Sequence, residues 1–473
     1  MSELPIGWTK CLLSEISLIT MGQAPASEHC NEDGNGIPFF QGKAEFRKLY
    51  PQIRRYCSSP TKMAQRGDIL LSIRAPVGPT NLAPDTCCIG RGLAAIRGEG
   101  GIENSFLIHL FKSIEPWLSE QGTGTTFKAI SGDFLRSIDI LLPPLAEQTR
   151  IAQKLDELLA QVDTLKARID GIPALLKRFR QSVLAAAVSG RLTEEWRKQN
   201  FFGKALQLNP KAKQLSEDEI SSAEEILGGP LPSFWNKFAL EQLVDPNRGI
   251  PYGIVQTGIP ADQGVPTVRC GDVKELYIDT KNLKIVSPEI EADYKRTRLK
   301  GGEVLLAIRG SVGNVGVASN LLKGCNISRE VAMIPTLDLL SPFYLACLLQ
   351  SPLGQVLLIG KVRGVAQKGI NLADVRRLPV ALPPYEEQTE IVRRVEQLFA
   401  FADQLEVKVK TAQVRIDQLT QSILAKAFRG ELVPQDPSDE PASVLLERIK
   451  AQRAAEPKAK RGGKKFLRPD VKI

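Results

Sequence analysis

The residues best suited to contact another molecule are arginines at two matched positions. Arg74 follows a buried apolar segment and precedes Ala75-Pro76-Val77-Gly78, and Arg309 follows a similar segment and precedes Gly310-Ser311-Val312-Gly313. A guanidinium group donates two parallel hydrogen bonds to guanine or to a phosphate, and glycine lets the backbone approach a ligand closely. An arginine that caps or pairs at a strand end is an equally good interpretation of each position.

Two polar loops form a second matched pair. Residues 122–128 (GTGTTFK) and 361–368 (KVRGVAQK) each lie just ahead of the last predicted strand and a long predicted helix. Hydroxyls, backbone amides and a cation suit phosphates, and a glutamine amide can read adenine, although a plain connecting loop is the competing interpretation. The complete set of predicted DNA-contacting residues is Arg74, Arg91, Thr123, Thr125, Lys128, Arg309, Asn314, Arg329, Arg363, Gln367 and Lys368.

Several enzyme signatures are incomplete in this sequence. Pro383-Pro384-Tyr385 resembles part of an amino-methyltransferase motif, but Leu382 stands where that motif has an Asp or Asn that accepts from the amine. The segment 310–316 (GSVGNVG) resembles a dinucleotide loop, but no acidic residue follows at the required distance. The sequence also lacks a GxxxxGK[ST] loop, carboxylates with metal spacing and zinc-type cysteine pairs. We therefore expect no catalytic site and no metal.

Composition and charge narrow the class of protein. The 473 residues, 43% hydrophobic and 24% charged, predict a globular protein with more than one domain. Without a signal peptide or an apolar stretch of membrane-spanning length, we expect a soluble, cytoplasmic protein without membrane contact. The net charge is +9, but residues 441–473 carry ten Lys or Arg against three acidic residues. Most of the charge therefore lies in a predicted disordered tail, so DNA binding by the folded body needs other support.

The chain repeats itself with an offset of 240 residues. LPPLAEQTRI (142–151) matches LPPYEEQTEI (382–391) at seven of ten positions, and QSVLAAAVSGRL (181–192) matches QSILAKAFRGEL (421–432) at seven of twelve. Upstream the likeness is weaker and its offset changes. The sequence therefore predicts two units, each with a front part that tolerates insertions and a rear part of fixed length.

Each rear part predicts one long helix that begins at a Pro-Pro pair and ends near Gly190 or Gly430. Apolar residues step by four and three along both helices and form heptad seams. Because such a seam is unstable in water, we predict that the helices form an antiparallel coiled coil; packing of each helix on its own domain is the alternative. The predicted seam comprises Ile151, Leu155, Leu158, Val162, Leu165, Ile169, Ile391, Val395, Leu398, Leu405, Val409 and Ile416.

The front parts predict mixed α/β domains, because short apolar runs alternate with Gly and Pro. Asp68–Ile73 and Glu303–Ile308 predict buried strands, whereas Phe106–Leu118 and Pro342–Leu358 predict helices. The predicted fold class is α/β (α+β), with two tandem globular domains that alternate with two long helices in a pseudo-twofold repeat. The predicted divisions are a first domain (1–143), a first helix (144–197), a linker with a possible short helix (198–228), a second domain (229–383), a second helix (384–432) and a basic tail with a short helix (433–473).

This pattern of two variable domains and two LPPLAEQ/LPPYEEQ helices, which end in QSVLAAAVSG/QSILAKAFRG, resembles the specificity subunit of type I restriction-modification systems. The helical regions, together with ASVLLERIKAQRAA (442–455), resemble the type IA branch. The resemblance implies that each front domain is a target recognition domain for one half of a bipartite, asymmetric DNA site. It also implies a subunit without catalytic activity, whose helices set the distance between the half-sites.

The resemblance further implies the partners of the chain. They are double-stranded DNA, two methyltransferase subunits and, for cleavage, two restriction subunits, which would carry S-adenosylmethionine, ATP and Mg²⁺, while this chain would bind no cofactor. Partner contacts are expected on the long helices and at residues 181–195 and 421–432. Two alternatives remain open: a self-sufficient DNA methyltransferase that uses the glycine loop and Pro383-Pro384-Tyr385, and a coiled-coil adaptor between proteins with no DNA role.

Overall fold

The structure, a computed structural model, describes residues 4–122, 129–200, 208–209, 212–226, 231–360 and 369–455. The chain divides into two compact units. The first unit comprises residues 1–170 and 411–473, and the second comprises residues 171–410. Each unit therefore combines one front domain with part of each long helix.

Two helices are much longer than the others, with 44 residues in α4 and 43 in α11. Both begin directly after a Pro-Pro pair, as the sequence predicts, and α4 runs through Pro173 as one helix. The helices are, in chain order, α1 Leu13–Ile16, α2 Asn104–Gln121, α3 Gly132–Arg136, α4 Leu145–Val188, α5 Glu194–Gln199, α6 Glu217–Ile226, α7 Pro288–Glu291, α8 Pro342–Gln350, α9 Pro352–Ile359, α10 Leu372–Arg376, α11 Tyr385–Ala427 and α12 Ala442–Ala455.

The strands of the two front domains are short. Those of the first domain are β1 Thr9–Leu12, β2 Ser17–Met21, β3 Cys30–Asn31, β4 Ile37–Phe40, β5 Arg55–Cys57, β6 Met63–Ala64, β7 Ile69–Ser72, β8 Thr80–Leu82, β9 Cys87–Ile89, β10 Leu93–Gly98 and β11 Asp139–Leu142. Those of the second domain are β12 Asn236–Ala239, β13 Val265–Val268, β14 Lys284–Val286, β15 Val304–Ala307, β16 Val315–Val317, β17 Asn326–Ile327, β18 Val331–Ile334 and β19 Pro379–Leu382.

The two domains share a central antiparallel arrangement. In the first domain β7 pairs with β8 and β10, and in the second β15 pairs with β16 and β18. Every side chain of β7 and β15 is buried, so the strands predicted at 68–73 and 303–308 are confirmed. The first domain adds a five-stranded sheet in the order β3-β5-β4-β9-β6, where the second has a three-stranded sheet in the order β14-β13-β17. The front parts of the repeat therefore differ in their additional sheet, whereas the central antiparallel arrangement is shared.

The segment Pro342–Leu358 is helical as predicted, but it forms two helices, because the chain bends by 72° between α8 and α9. Pro352 has no backbone N–H and can begin a helix but cannot continue one without loss of a hydrogen bond. The Ser351 side chain caps the second helix by accepting from the Gly354 amide at 3.0 Å. Among the described helices, no single one is long and apolar enough to cross a membrane; this bent pair meets that criterion only jointly.

Each front domain is joined to the start of its long helix by the same contacts. The indole of Trp8 donates to Glu147 at 3.0 Å, and the indole of Trp235 donates to Glu387 at 3.0 Å. The glutamine that follows each glutamate donates to the carbonyl of the first proline of its Pro-Pro pair, at 2.9 and 3.0 Å. The repeated PPxxEQ sequence is therefore a structural clasp between helix and domain.

The long helices pack against each other within both units. In the first unit Lys166 pairs with Asp417 at 2.7 Å, and Gln413 donates to Asp170 at 2.8 Å. From the first contact to the second, the residue number rises on α4 and falls on α11. The two helices are therefore antiparallel. The predicted antiparallel coiled coil is therefore confirmed in this unit.

The second unit continues the same pairing. Arg180 binds Asp403 at 2.6 Å and Glu406 at 3.2 Å, and Arg394 donates to the Leu192 carbonyl at 2.7 Å. Residues at the ends of the long helices are also part of the domain cores. The alternative interpretation, in which the helices pack on the domains, therefore holds only for the helix ends. Most seam positions are buried or half-buried, whereas Leu165 remains 47% exposed.

The first part of the predicted basic tail belongs to a hydrophobic core. Leu445, Leu446 and Ile449 of α12 are buried in the core of the first unit. The Ala442 amide donates to the Gly7 carbonyl at 2.9 Å, which fixes the start of the helix beside the N-terminal segment. Residues 456–473, which contain the predicted disordered Lys/Arg cluster, lie outside the described residues.

The predicted linker contains the short helix α6, as the sequence indicated. Glu219 of α6 accepts hydrogen bonds from the Arg377 guanidinium, whose Nε lies 3.2 Å from the carboxylate. This contact is the main reason why the pKa of Glu219 falls to about 2. The helix is therefore fastened to the second unit by an ion pair.

Candidate nucleic-acid interface

Arg74 lies in the hairpin that joins β7 to β8. The Ser72 hydroxyl donates to the carbonyls of Arg74 and Pro76 at 3.1 and 2.9 Å, and the Gly78 amide returns to the Ser72 carbonyl at 2.9 Å. A β-bridge between Arg74 and Ala129 places this turn beside the residue that follows the polar loop 122–128. The turn is thus braced by its own backbone, while the Arg74 side chain is exposed.

Arg309 occupies the equivalent hairpin between β15 and β16. The Gly313 amide donates to the Ala307 carbonyl at 2.9 Å, as Gly78 does to Ser72. A β-bridge joins Arg309 to Gly369, the first described residue after the loop 361–368. In both domains the structure therefore places the arginine turn next to the residue that follows a predicted contact loop.

Arg91 and Arg329 follow β9 and β17, and both side chains are exposed. Neither residue, nor Arg74 or Arg309, makes a side-chain hydrogen bond or ion pair with any described residue. Other arginines are fully engaged, as Arg248 is with Glu303 at 2.6 Å. Four guanidinium groups at matched positions are therefore available to an external anion.

The arginine pair of the second unit lines one pocket. Arg309 and Arg329 face a concavity of about 360 Å³ together with Tyr252 and Asn371. Its lining also includes aliphatic side chains from Val255, Ile308, Ile370, Leu372 and Ala373. A pocket lined by two cations and by aliphatic side chains suits the edge of a nucleotide better than it suits a small apolar ligand.

The first unit has a different pocket, of about 420 Å³, on the side of Arg91. Gln41 lines it with an exposed amide, whereas Arg55 is engaged with Glu32 at 3.7 Å. Arg74 is not among its lining residues. The candidate arginines therefore share a pocket in the second unit but not in the first.

The remaining predicted contact residues fall into two groups. Asn314 donates its side-chain amide to the Val273 carbonyl at 3.0 Å, so it braces the hairpin of Arg309. The others, which the sequence placed in the two polar loops, lie outside the described residues: Thr123, Thr125, Lys128, Arg363, Gln367 and Lys368.

Sequence reasoning missed Tyr252, Asn371 and Gln41, which line the two pockets. Tyr252 and Gln41 reach their pockets only through the tertiary fold, and neither belongs to a recognisable motif. Asn371 stands three residues after the predicted contact loop 361–368, so its position was the one available signal.

The carboxylate of Glu330, which follows Arg329 in the sequence, is hydrogen-bonded to another residue. The Cys270 thiol donates to Glu330 at 3.1 Å, and burial is the main cause that raises the pKa of this thiol. Glu330 is therefore held by a neutral donor, and the electrostatic character of the pocket is set by the two arginines.

The described residues offer no group of three or more His, Cys, Asp or Glu side chains that could hold a metal ion. The glycine-rich segment 310–316 forms part of the turn between β15 and β16 and the start of β16. A dinucleotide-binding loop must instead join a strand to a helix, whose N-terminus holds the pyrophosphate. The glycine loop therefore lacks the local fold that the methyltransferase alternative requires.

Comparisons with known proteins agree with the repeat. The family model described as type I restriction modification DNA specificity domain matches residues 5–174 and 254–414. The EcoBI specificity subunit of Escherichia coli is 34% identical, over 97% of this chain and 95% of its own. The EcoKI specificity subunit of Escherichia coli K12 is 36% identical, over 81% of this chain and 78% of its own.

Solved structures share the fold. The HsdS subunit from Thermoanaerobacter tengcongensis has a TM-score of 0.55 at 22% identity, covering 91% of this chain and 98% of its own. A chain from a structure of type I R-M complex assembly and conformational transition has a TM-score of 0.62 at 21% identity, covering 91% of this chain and all of its own. The chain therefore belongs to the family of type I restriction-modification specificity subunits, the family that its internal repeat resembles.

Proposed function

We propose that this chain is the non-catalytic DNA sequence-specificity subunit of a type I restriction-modification complex. Each front domain reads one half of a bipartite, asymmetric site in double-stranded DNA. The observation that carries this proposal is the pair of braced hairpins that present Arg74 and Arg309 at equivalent positions, in a chain of the specificity-subunit family. Free guanidinium groups on rigid turns suit both phosphate anchoring and guanine reading.

The two long helices set the separation of the half-sites in this proposal. Helices of 44 and 43 residues are about 65 Å long at 1.5 Å per residue. Readers connected by such a coiled coil favour half-sites about one helical turn apart, roughly 34 Å. The cross-helix ion pairs Lys166–Asp417 and Arg180–Asp403 support a fixed register.

We further propose that two methyltransferase subunits bind to the helices and that two restriction subunits complete the assembly. Leu175, Phe401 and Val407 support a protein-binding role, because these apolar side chains on the helices of the second unit are 58%, 56% and 65% exposed. S-adenosylmethionine, ATP and Mg²⁺ would bind to those partner subunits. The assembled complex would be a DNA adenine methyltransferase and an ATP-dependent endonuclease. Cellular DNA as the target implies a cytoplasmic complex.

The spacing role is tested by the insertion of one heptad into each long helix, at matched positions of the antiparallel pair. Each helix grows by about 10.5 Å, so the preferred distance between half-sites should increase by about three base pairs. The measurement is selection of bound duplexes from a random library. The same heptad placed between α5 and α6 is the control, since it leaves both helices unchanged. Half-site spacing that does not change with helix length would refute the role of the helices.

A further inference from the structure

The side chain of Asn371 is free at a position where asparagine normally caps a helix. Asn371 precedes α10, yet its side chain accepts no hydrogen bond from the first turn. In the first unit Ser131 occupies the equivalent place before α3 and accepts from the Phe134 amide at 3.1 Å. The exposed carboxamide of Asn371 thus keeps both its donor and its acceptor for a ligand.

The surroundings of this carboxamide indicate the kind of ligand. It lines the pocket of the second unit together with Arg309 and Arg329, neither of which pairs with a described residue. Tyr252, 45% exposed, supplies an aromatic wall. Two cations suit phosphates, while a flat carboxamide with adjacent donor and acceptor suits a base edge.

We propose that Asn371 reads one adenine of the half-site bound by the second unit, while Arg309 and Arg329 hold the adjacent phosphates. The carboxamide oxygen accepts from the N6 amino group of adenine and the carboxamide nitrogen donates to N7, a pairing that no other base offers in the major groove. This inference rests on the proposed function. It also supplies a source of asymmetry, because Ser131 is committed to its own helix and cannot act in the same way.

The experiment uses the full-length chain with Asn371→Ser, which supplies the cap that Ser131 provides in the first unit and so protects the fold. Asn247→Ser is the matched control, because Asn247 is an exposed amide of the same unit outside the pocket. Each protein selects duplexes from a random library, and its affinity is then measured for the preferred duplex and for copies in which each adenine of one half-site is replaced.

The wild-type chain and the control should prefer adenine at one position by on the order of 10- to 100-fold, the range expected for a bidentate base contact. The Asn371→Ser variant should lose that preference and keep its base preference at every other position of both half-sites. An unchanged preference, or a uniform loss across all sequences, overturns the role of Asn371 alone. A wild-type chain that selects no sequence overturns the proposed function as well.

Discussion

The two copies of the clasp between helix and domain differ in how the buried glutamate is satisfied. In the second unit Glu387 accepts from Trp235 at 3.0 Å, from Thr193 at 2.8 Å and from Arg197 at 2.8 Å. In the first unit Glu147 accepts from Trp8, and its other carboxylate oxygen is buried without a partner among the described residues. Both carboxylate oxygens of the motif's glutamate are therefore hydrogen-bonded in the second unit, but only one is in the first.

The difference comes from the residues that follow the C-terminal end of each long helix. The residues after α4 donate to Glu387, and the residues after α11 are their counterparts for Glu147. At the offset of 240 residues, Val433 stands where Thr193 is, and Pro437 stands where Arg197 is. Neither replacement has a side-chain donor. Burial accordingly raises the pKa of Glu147, because desolvation penalises its charged form. A repeated motif thus determines that a clasp forms, but distant residues determine how stable it is.

Glu387→Gln and Glu147→Gln should give the largest contrast between the units. The first change removes the charge that pairs with Arg197, which is itself mostly buried, and we expect a loss of about 3 kcal/mol or more in the second unit. The second change removes a charge that forms no salt bridge with a described residue, since the nearby Arg150 is paired with Asp439 at 2.6 Å, and we expect a change within about 1 kcal/mol. Hydrogen exchange resolved by peptide measures each unit separately. Equal losses in both units would refute the comparison.

Replacement of the tryptophan that donates to each glutamate should destabilise the first unit more than the second. This is the reverse of the order expected for the glutamate replacements. Trp8→Phe leaves Glu147 buried with no hydrogen-bond partner, which should cost the first unit about 2 kcal/mol more than packing alone. Trp235→Phe leaves Glu387 with two donors, so its additional cost should be about 1 kcal/mol or less. Denaturant unfolding, followed by a probe in each unit, compares them. A larger loss from Trp235→Phe would contradict this interpretation.

Val433→Thr should repair the first clasp. A hydroxyl at this position can donate to the unpartnered oxygen of Glu147 as Thr193 does to Glu387, and we expect a gain of about 1 kcal/mol. Thr193→Val is the reciprocal control and should destabilise the second unit by a similar amount. Thermal unfolding of both variants is the measurement. Destabilisation by Val433→Thr would show that the two sites are not equivalent.

The smallest expected effect is a pH dependence specific to the first unit. Since the folded pKa of Glu147 lies above its unfolded value of about 4.5, the folded state binds the proton more tightly. The stability of the unit should therefore fall as pH rises from about 4.5 through the raised folded pKa, and stay constant above it. Glu147→Gln should remove this component from the pH profile of unfolding. An identical profile in wild type and variant would refute the assignment.

The repetitive parts of the fold were predictable because they follow local rules. Heptad spacing predicts the long helices, and apolar runs between glycines predict β7 and β15. The break at Ser351 was predictable in principle, since a serine before Pro352 is a typical helix start. The burial of α12 was not, because the high average charge of the tail obscured the four α12 residues that belong to the core.

The candidate site was only partly predictable. Arg309 and Arg329 were found because they recur at matched positions of the repeat. Tyr252 was not, since it belongs to an irregular segment of the second domain that reaches the pocket through long-range packing. Pockets are formed by residues distant in sequence, and no local pattern encodes them.

The sequence by itself determined the repeat, the two long helices, their seams and the position of the clasp motif, because periodicity and proline placement act over a few residues. Tertiary structure alone decided which donors reach each buried glutamate, which arginines share a pocket and which asparagine stays free. The physical reason is that hydrogen bonds and ion pairs depend on distances of about 3 Å between atoms whose residues lie tens to hundreds of positions apart.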